Sequence, residues 1–396
     1  MKSFGNQFAM LAVLAAPFVL QAQLSFDVDG HPVQIHGFVS QGCAYSNENN
    51  FLTMKTSSGS CAMTDGGINA SVQLNDHLRI GAQVYDSNVG LLNDWHPSLD
   101  WAYVDYRFKD WFGIRGGKVK TVLGLYNDTQ DMEFLYTWAL LPQGLYPLDL
   151  RDTTIAHTGG DFYGNISLRK AGTLSYTAYA GQRSDNKWGG YYYNTQDEGV
   201  PLSSLTGIVY GGDARWTTPI SGLTAGVSWM DTRMHIEGIL QTEYNLPYTG
   251  DTKPEYVTSV YGDYTHGNWH FSGELRRNHE FLALTTAGQT SLSNFSDNGW
   301  FLTAAYRLTK KLELGTYHSR YYVESPHTSD PNGNHIFDQA VTARYDFTSF
   351  WDVKVEGHFM NGYGDIYSAH GFYLRSNPNG LKPDTDMIVV RTGFNF

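Results

Sequence analysis

The chain is poor in the residues that several structural classes require. Only two of its 396 residues are cysteine, too few for a disulfide scaffold, and only 13 are proline. Beyond the first 22 residues no window holds about 18 consecutive apolar residues, which excludes a membrane-spanning helix. Lys and Arg number 27 against 39 Asp and Glu, a formal charge of -12. With no basic run to meet phosphates, a general nucleic-acid binder is excluded. Catalytic motifs are missing too. "HEF" at His279 has no second His four residues on, no Gly-x-Ser-x-Gly occurs, and "DPNGNH" (330–335) puts its glycine out of register for a Ca²⁺ loop. Neither an enzyme nor a bound cofactor or metal is expected.

What is abundant points elsewhere. Aromatics make up 15%, with 27 Tyr and 10 Trp, and Gly reaches 42: many strand and turn formers, few helix formers. The final stretch "DMIVVRTGFNF" alternates, with Phe394, Thr392, Val390 and Ile388 on one face and Asn395, Gly393, Arg391 and Val389 on the other. Alternation up to Phe396 suits a strand that closes a barrel in lipid, where the outward row must be apolar and the edge must pair.

The connections have a rhythm. Short turns at 74–78, 107–111, near Asn165, 217–222, 266–269, 308–312 and 347–351 each join two alternating segments of about ten residues, the length of a tilted transmembrane strand. Long polar stretches at 47–65, 183–206, 233–253 and 361–383 lie between these hairpins. The spacing predicts an all-β chain, a transmembrane antiparallel β-barrel of about 16 strands, with both termini on the short-turn side. Residues 1–22 read as a cleaved signal peptide, with Lys2 before an apolar stretch containing Pro17. Residues 23–396 then form a single outer-membrane domain. In an exported chain Cys43 and Cys61 suggest one disulfide closing a loop of about twenty residues, two unpaired thiols being the alternative.

Alternation assigns faces. Trp300, Leu302, Ala304, Tyr306 and Leu308 go to lipid with Thr303 and Arg307 inside, and Trp351, Val353, Val355, Gly357 and Phe359 oppose Asp352, Lys354, Glu356 and His358. Phe108, Trp111, Trp216, Trp269, Tyr306, Phe347, Trp351 and Phe396 lie near the short turns, where an interfacial girdle belongs. Repeated charged lumen rows imply water inside. Between residues 120 and 153 lies the longest loop, too aromatic and apolar for disorder. It is expected to fold into the barrel and narrow it, with a short helix at 128–141 stopped by Pro142. Its acids Asp128, Asp131, Glu133, Asp149 and Asp152 are expected to face wall bases across a narrow gap: Arg79, Arg107, Arg115, Arg215, Arg307, Arg344, Lys354 and Arg391. Asp105, Asp213, Asp338, Asp352 and Glu356 dilute that charge. Lys118 and Lys120 share the parity of Phe112 and Ile114, so they reach the lumen only through a bulge near Gly116 and Gly117 or above the membrane.

At "LDWAYVDYRFKDWFGIRGGKVKTVLGLYNDT" (99–129), and at "IHGFVSQG" and "RTGFNF", the chain resembles the phosphate-selective porin O/P-type family and related proteobacterial porins. Gly117, Lys120, Gly124 and Leu125 match the family's pattern, whereas Val122 and Leu123 replace its Pro-Phe pair. The family's arginine ladder does not map onto these positions. The resemblance implies a trimeric sixteen-stranded channel among outer-membrane lipid and lipopolysaccharide, with Phe396 read by the barrel-assembly machinery. The expected function is passive diffusion of small hydrophilic solutes and ions. The alternatives are an anion or phosphate channel and a plugged surface adhesin or receptor.

Overall fold

The computed structural model describes residues 24–396 apart from 184 and 365–370; the signal segment expected at 1–22 lies outside the described residues. Among the described residues seventeen strands follow one another in chain order. They begin with β1 (Leu24–Val28), β2 (His31–Ser46), β3 (Ser60–Gln73), β4 (Leu78–Val89), β5 (Ser98–Lys109) and β6 (Phe112–Lys120). After the long loop come β7 (Ala156–Ser167), β8 (Thr173–Arg183), β9 (Leu202–Thr217), β10 (Leu223–Leu240), β11 (Leu246–His266) and β12 (Trp269–Thr286). The last five are β13 (Gln289–Arg307), β14 (Leu312–Ser325), β15 (His335–Thr348), β16 (Trp351–Asn361) and β17 (Asp384–Asn395).

Strands β2 to β17 pair antiparallel in sequence order, and β17 returns to β2 through pairs such as Val390 with Cys43 and Phe394 with Val39. The result is a closed sixteen-stranded barrel with no open edge. β1 is a short extra strand that hairpins onto the start of β2. Closure ends at the last residue: Phe396 exchanges backbone hydrogen bonds with Gly37 at 2.9 and 3.0 Å, and its ring covers Gly37 so closely that a Cβ there would meet it.

The outward rows are apolar and exposed, as in Ile80, Val84, Leu302, Val355 and Phe359, while Thr303, Asp352, Glu356 and His358 of the same strands point inward and are buried. Trp111, Trp216, Trp269 and Phe347 stand exposed beside the short turns, and Phe347, Trp351 and Phe394 stack at 4.3 and 5.2 Å. Such a belt has a chemical reason to sit in lipid.

Two expectations about local structure do not hold. Residues 233–253 are not a long loop: β10 and β11 stay paired to Leu240 and Leu246, and β10 to β13 run 18, 21, 18 and 19 residues. Above the apolar belt both faces of a strand meet water or polar neighbours, so alternation fades and a paired strand reads as a loop. Nor does 128–141 form an α-helix. It holds only single 3₁₀ turns at Asn127–Thr129 and Glu133–Leu135, because its backbone groups are taken by side chains of the wall. The long loop's one α-helical turn is Arg151–Thr154.

Candidate functional site

Residues 121–155 leave β6 and fold into the lumen, where three sets of wall side chains hold them. The first set comes from β15 to β17. Lys354, 0% exposed, donates to the Glu133 carbonyl at 2.5 Å and also pairs with its carboxylate. Arg344 donates to the carbonyls of Phe134 (2.8 Å) and Tyr136 (2.6 Å), and Arg391 to that of Ala139 (2.9 Å). Glu356 does the reverse, accepting from the backbone N–H groups of Ala139 (3.0 Å) and Leu140 (2.9 Å). A loop with few helical bonds and no ladder thus has much of its backbone satisfied by charged strand residues, which is what makes burial tolerable.

The second set lies on β10 and β12. Ser228 accepts from the N–H of Gly124 (2.8 Å), Glu274 from that of Leu125 (3.0 Å) and from Tyr146 Oη, and Arg276 donates to the Leu145 carbonyl (2.6 Å). The third lies at the loop's two roots. Asp131 is bonded by Lys120 (2.5 Å) and Gln83 (2.9 Å), while Arg151 pairs with Asp100 (2.7 Å) and lies over the Tyr85 ring at 3.9 Å. Apolar contacts fill the remainder, with Trp138 edge-on to Tyr317 and Tyr126 stacked on Phe301.

This arrangement sorts the sequence-named residues into a group at the contact of loop and wall, a group on the arc β4 to β9, and two outside both, Arg307 and Asp128. Lys120 with Asp131 and Lys354 with Glu133 meet in direct contact rather than across a gap, while Arg344, Glu356 and Arg391 hold the loop's backbone. The reason is desolvation: an acid and a base that both leave water are tolerated only when they touch and their remaining valences are bonded. Lys120 reaches Asp131 from the end of β6, beyond Gly117, whose φ of +132° departs from regular strand geometry. The second group lines the arc β4 to β9. Arg79 donates to Ser71 (3.0 Å), Arg107 is exposed, and Arg215 donates to Tyr261 (3.0 Å). Arg115 pairs with Asp161 (3.1 Å) and lies over the Tyr163 ring at 4.5 Å, and Asp105 accepts from Tyr163 (2.6 Å). Arg307, on β13, is tied to Glu313 and Asp346, and Asp128 sits half-buried in the first 3₁₀ turn. Cys43 and Cys61 are bonded to each other at the extracellular ends of β2 and β3.

The anchors Glu274 and Arg276 lie outside the set of wall residues expected from the sequence. A signal was present: in "GELRR" the intervening Leu275 is 55% exposed on the outer face, so alternation points both charges inward. On the long-loop side the walls of β10 to β14, the long loop and residues 190–200 surround an open cavity of ≈ 530 Å³, with Arg183, Arg276, Glu255, Glu280 and Asp297 among its lining. Asp149, in the long loop, joins three segments: its carboxylate accepts from Tyr373 Oη (2.8 Å), its carbonyl accepts from Gly190 N–H (3.1 Å), and burial pushes its carboxyl up to about 6.

A closed sixteen-stranded barrel with an apolar outer belt, a charged inner wall and a loop folded into its lumen is the architecture of a transmembrane β-barrel. Solved structures of such barrels superpose on the chain. Salmonella typhi OmpF, from a complex with daunomycin, is 13% identical with TM-score 0.57 and covers 94% of this chain and 100% of its own. The outer-membrane channel DcaP of Acinetobacter baumannii is 9% identical (TM-score 0.56, 94% and 99% covered), and an anion-selective porin from Comamonas acidovorans 11% (0.54, 92% and 100%). At such identities it is the fold that is shared. No family model and no curated protein matches the sequence.

Proposed function

We propose that the protein is an outer-membrane porin through which small hydrophilic solutes and ions diffuse passively, its passage narrowed by the docked loop. The carrying observation is the loop itself. It is tied on three sides to the wall, while Arg79, Arg107, Arg115 and Arg215 lie on the inward rows of β4, β5, β6 and β9. A rigid loop beside a polar wall sorts solutes by size, and fixed charges in a narrow section sort them by sign. Planar bilayers test this. Purified trimers or monomers should give steady ohmic steps, and folded protein that inserts without any step would end the reading.

That same arginine arc favours a second reading, an anion-preferring or phosphate-binding channel of the kind the O/P-type resemblance implies. Guanidinium groups hold oxyanions through paired N–H donors. Asp105, Asp161 and Asp213 beside them argue for modest preference instead. Millimolar phosphate should leave chloride conductance almost unchanged under the first reading and block it under the second. A homotrimer fits the porin fold, and Vibrio cholerae OmpT is solved in a trimer form. Lipopolysaccharide around the belt and assembly through the Phe396 strand belong to the same proposal.

A further inference from the structure

On the outer face of the barrel an arginine projects toward lipid without a carboxylate partner. Arg320 lies on β14, and alternation places it outward between the buried, inward Ser319 and Tyr321. It stands eight residues beyond Leu312 at the short-turn end, which for a tilted strand is about 20 Å up the barrel, near the top of the apolar band. The row it shares confirms the level. Leu275, Trp300 and Phe337 flank it on β12, β13 and β15, and the next outward row, Arg277, Asn298, Tyr322 and His335, is polar throughout.

Arg320 is held, not loose. Its Nε donates to His318 Nε2 (3.0 Å) and its Nη1 to Tyr322 Oη (3.2 Å), and the guanidinium lies 4.7 Å from the Phe337 ring. His318 is oriented in turn, its Nδ1 3.2 Å from Gln339 Oε1, and Gln339 donates to Thr316 Oγ1 (2.7 Å) and the Tyr317 carbonyl (2.9 Å). These bonds use two of the five N–H groups of Arg320 and leave three for a further partner. The outward acid of the strand, Glu324, is bonded to Arg277 (2.9 Å) and Asn298 (2.7 Å) instead, and among the described residues no carboxylate pairs with Arg320. A fixed guanidinium at the edge of hydrocarbon, with the Trp300 and Phe337 rings beside it and Arg277, itself paired with Glu324, in the polar row above, lacks only an anion.

We propose that Arg320, oriented by the His318–Gln339 relay and flanked by Trp300, Phe337 and Arg277, is a binding site for the phosphate of an outer-leaflet glycolipid. The inference rests on the barrel's residence in the outer membrane and not on what passes through it. Guanidinium forks take phosphate oxygens two at a time, and pairing at the low-dielectric edge of the bilayer is little screened. The occupant is membrane lipid because the site opens sideways onto the belt, where free phosphate has no access once acyl chains are packed against Trp300 and Phe337.

The test is native mass spectrometry of the full-length purified protein in detergent, titrated separately with bis-phosphorylated lipid A, its dephosphorylated form and inorganic phosphate. Wild type should bind the phosphorylated lipid, and Arg320→Gln should bind it on the order of tenfold more weakly, the loss of one charge-assisted contact. Arg320→Lys should fall between, keeping charge without the fork. Equal binding of phosphorylated and dephosphorylated lipid A by wild type, an arm that needs no variant, would overturn the proposal. So would unchanged binding by Arg320→Gln, or competition by inorganic phosphate at concentrations equal to the lipid. Bilayer steps recorded on the same samples keep the two readings apart: Arg320→Gln should leave conductance at the wild-type value, and a wild type that binds lipid but never conducts removes the porin reading alone.

Discussion

Lys354→Met is the sharpest single perturbation of the docked loop. Lys354 is 0% exposed and Glu133 5% exposed, and their contact fixes the 3₁₀ turn Glu133–Leu135 to β16. Removing one partner of a buried, bonded pair costs about 3–5 kcal/mol, since the other charge is left without compensation. Here the loss falls on the docking of the loop and not on the barrel, whose strands β15 to β17 keep their full ladders. Against it stand the remaining anchors of that segment: Arg344 and Arg391 on three carbonyls, and Glu356 on two N–H groups. Each such bond contributes on the order of 1.5–3 kcal/mol. The segment should therefore stay docked most of the time and leave transiently. Single-channel traces of Lys354→Met should show flicker absent from wild type, with a larger mean conductance, while heat-modifiable migration on gels is unchanged. Adding Glu133→Gln removes the stranded charge, so the double variant should be quieter than Lys354→Met alone. Traces of Lys354→Met indistinguishable from wild type, or a double variant as noisy as the single, would refute the idea that this pair holds the loop.

Three further outcomes are expected. Replacing Arg79 and Arg115 with Gln should move the reversal potential in a salt gradient toward cations, and an unmoved potential at high conductance would place the narrowest section elsewhere. Deleting Phe396 removes its two backbone bonds to Gly37 and the ring that covers it, so folded outer-membrane yield should fall, read by heat-modifiable migration; wild-type yield would count against closure as the role of that residue. Asp149 supplies a pH dependence: its carboxyl is raised from 3.8 to about 6 by burial, so it stabilises the junction with residues 190 and 373 when protonated. That contribution is complete below about pH 4, is lost as pH rises through 6, and amounts to on the order of 3 kcal/mol. Hydrogen exchange of residues 371–382, corrected for intrinsic rate, should accelerate between pH 4 and 7 in wild type and show no such rise in Asp149→Asn.

The barrel was legible because its signals are local. Lipid on one side of a wall and polar surroundings on the other dictate every second residue, so "WFLTAAYRL" and "WDVKVEGHF" announce their faces without reference to any other part of the chain. The short turns were legible for the same reason. Strand length above the belt was not, since β10 to β13 leave the lipid and lose the alternation that marks a strand. The loop was legible as a loop, being long and aromatic, but its docking was not. Glu133 and Lys354 are 221 residues apart, and Glu356 meets Ala139 across 217; nothing in either neighbourhood announces the partner. Sequence patterning alone therefore determined that Lys354, Glu356 and Arg391 turn inward. Only the tertiary structure decided that they grip a loop instead of facing water, because the choice between a solvated charge and a buried pair depends on what the rest of the chain brings within about 3 Å.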